Sequence, residues 1–407
     1  MTEPAFPAAA DTPETRPAVR LQKGRSNRLR RGGPWVFSNE IEMTAEAKAL
    51  PPGSLVTLVD AGDEKLGVAT FNAHSLIAAR VVDRDWRTTV DSRVVLDRLR
   101  RARDLRDRLF DRPFYRLVHS EADGLPGLIV DRFGDVVTVQ ANTAGMERLT
   151  PAVLEALDEL LAPAAVVLRN DAPSRGLEGL PLGQTVVKGV IDGPVAVEEN
   201  GLTYLADVTT GQKTGWFYDQ RPNRAFVAGL ARGRRAIDVY SYAGGFGLAC
   251  AAAGATEVVL VDRAERALAL ATDAAARNGF ADRVTTVQGE AFAEMARLAA
   301  AGDRFGVVVA DPPAFAKSKK DQAQAAKGYR KMARLAAALV EPGGVLLCGS
   351  CSHHMPLEMF QEEVSRGIAQ ADRTGRLLHT GFAGPDHPVH PALPETAYLK
   401  TLTFQLD

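Results

Sequence analysis

The sequence predicts an α/β chain built from a β-rich N-terminal module, a central α+β domain and a C-terminal doubly wound parallel sheet. Three observations predict it. From about residue 196 onward, apolar strands alternate with helical segments. The strand at 306–310 is a dense apolar run, as expected of a parallel strand buried on both faces. Short β-forming runs broken by Pro, Gly and Asn fill residues 19–85. At 407 residues, 46% apolar and 24% charged, the chain is neither wholly disordered nor fibrous. Lys plus Arg total 49 against 50 Asp plus Glu, so contact with a polyanion must rest on local patches.

Residues 1–18, rich in Ala, Pro and Thr, are expected to form a loose tail without a signal-peptide core. No apolar run reaches the length needed to span a bilayer. Only Cys250, Cys348 and Cys351 are present, too few for a disulfide framework, and a cytoplasmic location is expected.

In the 19–85 module, residues 54–59 and 76–82 read as strands. A basic run of Arg20, Lys23, Arg25, Arg28, Arg30 and Arg31 precedes Trp35 and Phe37, with no acid between Glu14 and Glu40. Basic charge beside aromatics suits a phosphate backbone and unpaired bases. It equally suits a solvated strand with a core Trp.

Residues 86–195 open with a helix. Val95, Leu99, Ala102, Leu105 and Leu109 recur at helical spacing and form one apolar face. A hairpin around Phe133-Gly134, a helix at 146–162 and a strand at 165–168 follow. Further strands are expected near 185–191 and 203–208.

Within the 196–407 domain, the strand at 236–241 runs into a loop containing Asp238, Tyr240, Ser241, Gly244, Gly245 and Gly247. Glycines at a strand-to-helix turn let a ligand approach the backbone. The spacing fits a dinucleotide signature poorly, and no P-loop lysine follows. The second strand ends in Asp262-Arg263, where a carboxylate can take ribose hydroxyls, and Glu290 follows the third. Asp238 would repel a pyrophosphate but suits the amino group and sulfonium of S-adenosylmethionine. Each of these acids alone could simply cap a helix.

The fourth strand ends in Asp311-Pro312-Pro313-Ala314-Phe315, facing the ligand crevice at the carboxyl end of the sheet. Phe315 offers a surface for stacking a base, and Asp311 a partner for an exocyclic amine or protonated ring nitrogen. The fifth strand ends in Cys348-Gly349-Ser350-Cys351-Ser352-His353-His354. A redox pair and a zinc site both fit this cluster badly, because it closes a late strand and lacks a second ligand cluster. Cys351 as a nucleophile has a chemical reason. Carbon 5 of cytosine becomes able to attack a methyl donor only after a thiolate adds to carbon 6. After the loop come Lys317, Lys319, Lys320, Lys327, Arg330, Lys331 and Arg334, read as a phosphate-binding ridge or a solvated helix face.

At these residues the chain resembles the bacterial 23S rRNA cytosine-5 methyltransferases that carry an N-terminal PUA domain. The resemblance rests on segments 33–40, 72–77, 121–128 and Lys213-Thr214-Gly215-Trp216-Phe217-Tyr218-Asp219-Gln220-Arg221. It continues through the Asp238 loop, the Asp311 and Cys351 motifs and Asp386-His387-Pro388-Val389-His390-Pro391. It implies a Rossmann-like class I methyltransferase sheet, a PUA domain gripping RNA, S-adenosylmethionine as cofactor and Cys351 as nucleophile. Segment 213–221, with Phe217, Gln220 and Arg221, would close over the cofactor. Ribosomal RNA is the expected partner, with a homodimer also anticipated and no metal or membrane. Pro313 stands where many relatives in the wider group carry a second cysteine, so the base that releases product is unassigned. Guanine N-methylation, which needs no thiol, and a non-catalytic RNA-binding role are the alternatives.

Overall fold

The computed structural model describes residues 12–316 and 318–407. It divides into two compact units, one comprising the described residues from 12 to 192 together with 388–394, the other the described residues of 193–387 with 395–407. No helix among the described residues is long and apolar enough to cross a membrane.

The first unit holds two five-stranded sheets. In the N-terminal one, Ala18–Arg20 lies parallel to Ser54–Val59, and Lys65–Phe71, Ala79–Asp83 and Trp35–Val36 continue antiparallel. Val19, Leu21, Val36, Ile41, Val56, Leu58 and Phe71 fill its core. The expected loose tail is shorter than the sequence suggests. Arg16 is buried and donates to the carbonyls of Trp86 and Thr88, so residues 12–18 are ordered. Residues 1–11 lie outside the described residues. The basic run is also partly neutralised on folding: Arg20 meets Asp63, and Arg30 meets Asp60 and Glu64.

In the second sheet, helices Ser92–Leu109 and Ala144–Leu161 pack over strands Phe114–His119, Leu128–Phe133, Val136–Ala141, Ala165–Asn170 and Gly183–Lys188. The first helix departs from its predicted face. Val95, Leu99 and Ala102 are buried, but Leu105 and Leu109 are exposed. Arg106 is buried in their place, because its guanidinium grips Asp123 in a fork at 2.6 and 2.8 Å and donates to the Arg116 carbonyl. A forked ion pair overrides the side chain's usual preference for water.

In the second unit, a hairpin of Val195–Glu199 and Leu202–Ala206 precedes a seven-stranded sheet. Its strands are β1 (Arg235–Val239), β2 (Glu257–Asp262), β3 (Val284–Gln288), β4 (Phe305–Ala310), β5 (Val340–Ser350), β6 (Gly375–Phe382) and β7 (Lys400–Leu406). The spatial order is β3-β2-β1-β4-β5-β7-β6, with β1 to β5 parallel and β7 antiparallel to both β5 and β6. The order reverses at β1 and β4, which opens a crevice outside their carboxyl ends. Helices α1 (Gly245–Ala252), α2 (Glu265–Arg277), α3 (Ala291–Ala300), α4 (Gln322–Ala337) and α5 (Leu357–Ala369) flank the sheet. The near-continuous apolar strands are buried on both faces, with Ile237, Val308 and Leu346 in one core and Val307, Val309 and Leu347 in the other.

Beside the crevice lies a buried ionic knot. Glu199 accepts from Arg224 at 2.6 and 2.8 Å, from Trp216 Nε1 at 3.2 Å and from Arg221 Nε at 3.3 Å. Removing one partner of such a pair strands the other charge in a dry interior. Glu199→Ala is therefore expected to destabilise the chain by about 3–5 kcal/mol, read as a lowered thermal midpoint. A loss below about 1 kcal/mol, the range of exposed pairs, would contradict this assignment.

Candidate active site

A cavity of about 430 Å³ opens at the carboxyl ends of β1, β2 and β4. The Asp311 and Cys351 motifs meet there because β4 and β5 pair in parallel, with Ala310 opposite Cys348. Both Asp311 and Cys351 line the cavity. Gly349 has a steric role: a Cβ there would overlap Asp311 Oδ1. The carboxylate therefore lies over the end of β5, beside the cysteine. Its Oδ2 accepts from Gln220 Nε2 at 2.8 Å. Burial, followed by the charge of Asp219, pushes the Asp311 carboxyl up to about 6.

The Cys351 Sγ lies 4.0 Å from the carbonyl of Pro312, so one carbonyl of the stiff Pro-Pro turn is aimed at the thiol. Burial pushes this thiol up to about 11. Lys213 opposes the shift, and Asp311 and Asp219 reinforce it. Below the motif, Tyr329 OH accepts from Ser350 Oγ at 2.8 Å and lies 3.0 Å from Ser352 Oγ. One phenol thus ties down both neighbours of Cys351. Cys348 is fully buried within β5. Among the described residues, no group of three His, Cys, Asp or Glu side chains is arranged to hold a metal ion.

The far wall comes from segment 212–224. Lys213 Nζ donates to Asp219 Oδ2 at 2.8 Å, and Tyr398 OH donates to the same oxygen at 2.5 Å. Burial alone would raise the Asp219 carboxyl, but the charges of Lys213 and His387 hold it well below the usual carboxylate range. Lys213, Tyr240 and Tyr242 all have positive φ. Left-handed backbone at three non-glycine residues around one cavity is strain of the kind that clusters at functional sites.

The structure sorts the residues singled out in the sequence. Tyr240, Ser241, Asp262, Arg263, Glu290, Phe217 and Gln220 line the cavity, and Gly244 begins the adjoining turn at φ 79°. Asp262 accepts from the amides of Tyr242 and Ala264 at 2.8 and 2.9 Å, which fixes its carboxylate at the strand end. Glu290 accepts from Ala293 N and caps α3.

Asp238 departs from expectation. It sits beneath the loop, where it accepts from Gly247 N at 2.8 Å, and is not part of the cavity wall. Arg221 faces Glu199 and is outside the wall, to which segment 212–224 contributes Arg224 instead. Phe315 packs on Tyr329 with ring centroids 4.7 Å apart and is outside the wall, because the small Gly328 on α4 leaves room for its ring. Trp35 donates to Glu121 at 2.8 Å within the first unit, with Arg80 over its ring, which ties it into the protein rather than leaving it as a free stacking face. Arg28 lies over Phe37, whereas Arg25 is exposed. Lys319 and Lys320 are exposed on a single turn, and Lys317 lies outside the described residues. The sequence reading passed over Lys213, Trp216, Asp219, Arg224 and Leu399 as site residues. All five lie in the wall, and four belong to a motif already noted for its resemblance or to its immediate continuation.

The chain matches a family described as S-adenosylmethionine-dependent methyltransferase over residues 187–405, and a PUA-like domain over residues 19–84. With the switch-point cavity, this defines an S-adenosylmethionine-dependent methyltransferase. Ribosomal RNA large subunit methyltransferase I of Aeromonas hydrophila is 37% identical over 394 residues, spanning 95% of this chain and 99% of that protein. The chain belongs to that methyltransferase I family. Its fold is shared with a structure described as a SAM-dependent methyltransferase from Streptococcus mutans, at TM-score 0.79 and 19% identity over 96% of this chain and all of that one. A second structure, a methyltransferase complexed with SAH, has TM-score 0.81 at the same identity and coverage.

The cavity fits that cofactor. Ser241 Oγ is a buried hydroxyl with no protein partner among the described residues, set in the cavity wall. Carboxylates stand at or just after the ends of two consecutive strands, and Tyr240, Tyr242, Trp216 and Phe217 supply apolar surface between them.

Proposed function

We propose that the chain methylates carbon 5 of a cytosine in large-subunit ribosomal RNA through a covalent Cys351 adduct. The observation that carries this reading is the meeting of a thiol and a carboxyl on neighbouring strand ends in one cavity. The curated relative from Aeromonas is named for ribosomal RNA, which supports the substrate class.

Asp262, Glu290, Tyr240, Ser241 and Phe217 hold S-adenosylmethionine, with Gly244 shaping the turn and Arg263 at its rim. The cofactor, when bound, supplies an electrophilic methyl group. Asp311 accepts a hydrogen bond from the cytosine amino group through the oxygen that Gln220 leaves open. Once its proton has passed to solvent, the Cys351 sulfur adds its electron pair to carbon 6, and the displaced ring electrons gather at carbon 5, which would bond the methyl as the donor's sulfur–methyl bond breaks and leaves its electron pair on the donor sulfur. Loss of the carbon 5 proton to solvent then lets the carbon–hydrogen pair re-form the carbon 5–carbon 6 double bond and returns the carbon–sulfur pair to sulfur, regenerating the thiolate and the aromatic ring.

A base in folded RNA must leave its stack to reach this cavity, so the target is a loop, a bulge or unfolded rRNA. Lys319, Lys320, Lys327, Lys331 and Arg334 are exposed on the segment after Asp311 and offer phosphate contacts, whereas Arg330 is held by Glu363 at 2.6 Å. Arg25 and Arg28 of the PUA-like sheet add a second basic surface.

The test is incubation of unmodified ribosomal RNA with labelled cofactor, then mass spectrometry of the nucleosides. The expected product is 5-methylcytidine, and a methylated guanine would overturn the carbon-methylation reading. RNA affinity should fall on the order of 10²-fold or more between 50 and 200 mM salt if several phosphates are contacted. A flat salt response would count against the basic ridge.

A further inference from the structure

One buried cation near the nucleophile has no carboxylate partner among the described residues. Lys400 opens β7 and lies directly across from Ser350 in the antiparallel pair with β5. Its side chain is buried, and its Nζ donates to the Ser352 carbonyl at 2.7 Å and the Tyr398 carbonyl at 3.1 Å. The lysine therefore reaches across the strand tip, from the residue before Cys351 to the residue after it. An ammonium has three donors, and these two carbonyls use two of them. Among the described residues Lys400 has no carboxylate partner.

The other lysine at the site is different, because Lys213 is already matched by Asp219 at 2.8 Å. A buried ammonium held only by carbonyl dipoles is costly unless a negative charge comes to it. Burial pulls Lys400 down to about 8, and the charge that opposes this is that of Cys351. The remaining groups facing the thiol are Asp311 beside it, Asp219 on the far wall and Tyr329 beneath it, with His353 and His354 following in the chain. Both carboxylates disfavour the thiolate.

We propose that Lys400 is the counter-ion of the Cys351 thiolate, a positioning residue that stabilises the ionised minority of the sulfur before it bonds to carbon 6 and again when the charge returns to sulfur on release. This rests on Cys351 being the nucleophile. Lys400 transfers no proton in the scheme. Its ammonium stabilises the electron pair on sulfur at the two moments when that pair is not shared with carbon.

The test uses the full chain and iodoacetamide, with alkylation of Cys351 followed by peptide mass spectrometry across pH. Lys400→Met should slow alkylation at pH 7.5 by about 10-fold and move its midpoint upward, since an opposite charge near a thiolate is worth about one unit or more. Lys400→Arg, which keeps the charge, should stay within about threefold of the parent. Equal alkylation in Lys400→Met and parent chains overturns the proposal. Retained cofactor binding shows that Lys400→Met folds. If it does not fold, the reciprocal measurement decides. The Lys400 13Cε resonance should titrate at lower pH in Cys351→Ser than in the parent, and an unchanged titration overturns the proposal. Methyl transfer by Cys351→Ser would instead sink the nucleophile reading, whatever the alkylation result.

Discussion

Replacing Cys351 with serine is expected to abolish methyl transfer, by more than about 1,000-fold, while S-adenosylmethionine still binds. The sizes of the two side chains are close, so the cavity keeps its shape. What changes is the nucleophile: a serine hydroxyl has no accessible anion at neutral pH and is a poor partner for carbon 6 of a pyrimidine. Cofactor affinity should be nearly unchanged, because the residues proposed to hold the cofactor lie just after β1 and β3, at the end of β2 and on segment 212–224 rather than on β5. The parent chain should also be trapped on RNA carrying 5-fluorocytidine, where the carbon 5 proton needed for release is absent. The serine variant should form no such adduct on a denaturing gel. With the thiol at about 11, the thiolate fraction grows about tenfold per pH unit across the neutral range. Single-turnover rates in the parent should rise with pH between 7 and 9. Full activity in Cys351→Ser would remove the covalent mechanism.

How much of this was legible beforehand differs by residue. The sheet was readable because parallel strands buried on both faces must be continuous apolar runs, and 306–310 is such a run. Asp311 and Cys351 were readable because the strand-end rule turns a one-dimensional position into a place over the crevice. Lys213, Asp219, Arg224 and Leu399 were not readable as wall residues. Their place depends on how segments remote from the strand ends are held against them, through contacts such as Tyr398 to Asp219, which local pattern does not encode. The aromatics failed for a related reason. Phe315 was read as a stacking face and Trp35 as either a base contact or a core residue, but an aromatic ring finds its partner through tertiary packing, here Tyr329 and Glu121. Arg106 failed in the opposite direction. Periodicity assigns an arginine to water, and only the spatial arrival of Asp123 reverses that. The uncompensated charge of Lys400 was invisible for the same reason, since it is defined by what does not surround it.

Asp311→Asn separates catalysis from stability and tests the second half of the site. The substitution keeps the shape and leaves an oxygen for Gln220 Nε2, but removes the negative charge proposed to receive the cytosine amino group. A fall in turnover of about 100-fold or more is expected, the size of effect seen when a charged hydrogen-bond partner of the reacting group is lost. The pH dependence gives the sign. The Asp311 carboxyl sits at about 6 in the folded chain, above its ordinary 3.8. The ionised, accepting form is therefore lost as pH falls through 6. The parent should show an acid limb near that value, which Asp311→Asn should lack. Stability runs the other way. A carboxyl whose folded value is raised makes its contribution below its unfolded value and loses it as pH rises through the folded one. Above pH 6 the parent thus carries the cost of an ionised, desolvated carboxylate facing Asp219. The asparagine variant should melt at higher temperature than the parent at pH 7.5, and the gap should close by pH 4. A variant that loses activity without this pH-dependent gain in thermal midpoint would show that Asp311 is solvated in the free enzyme, and the acid limb would then belong to another group.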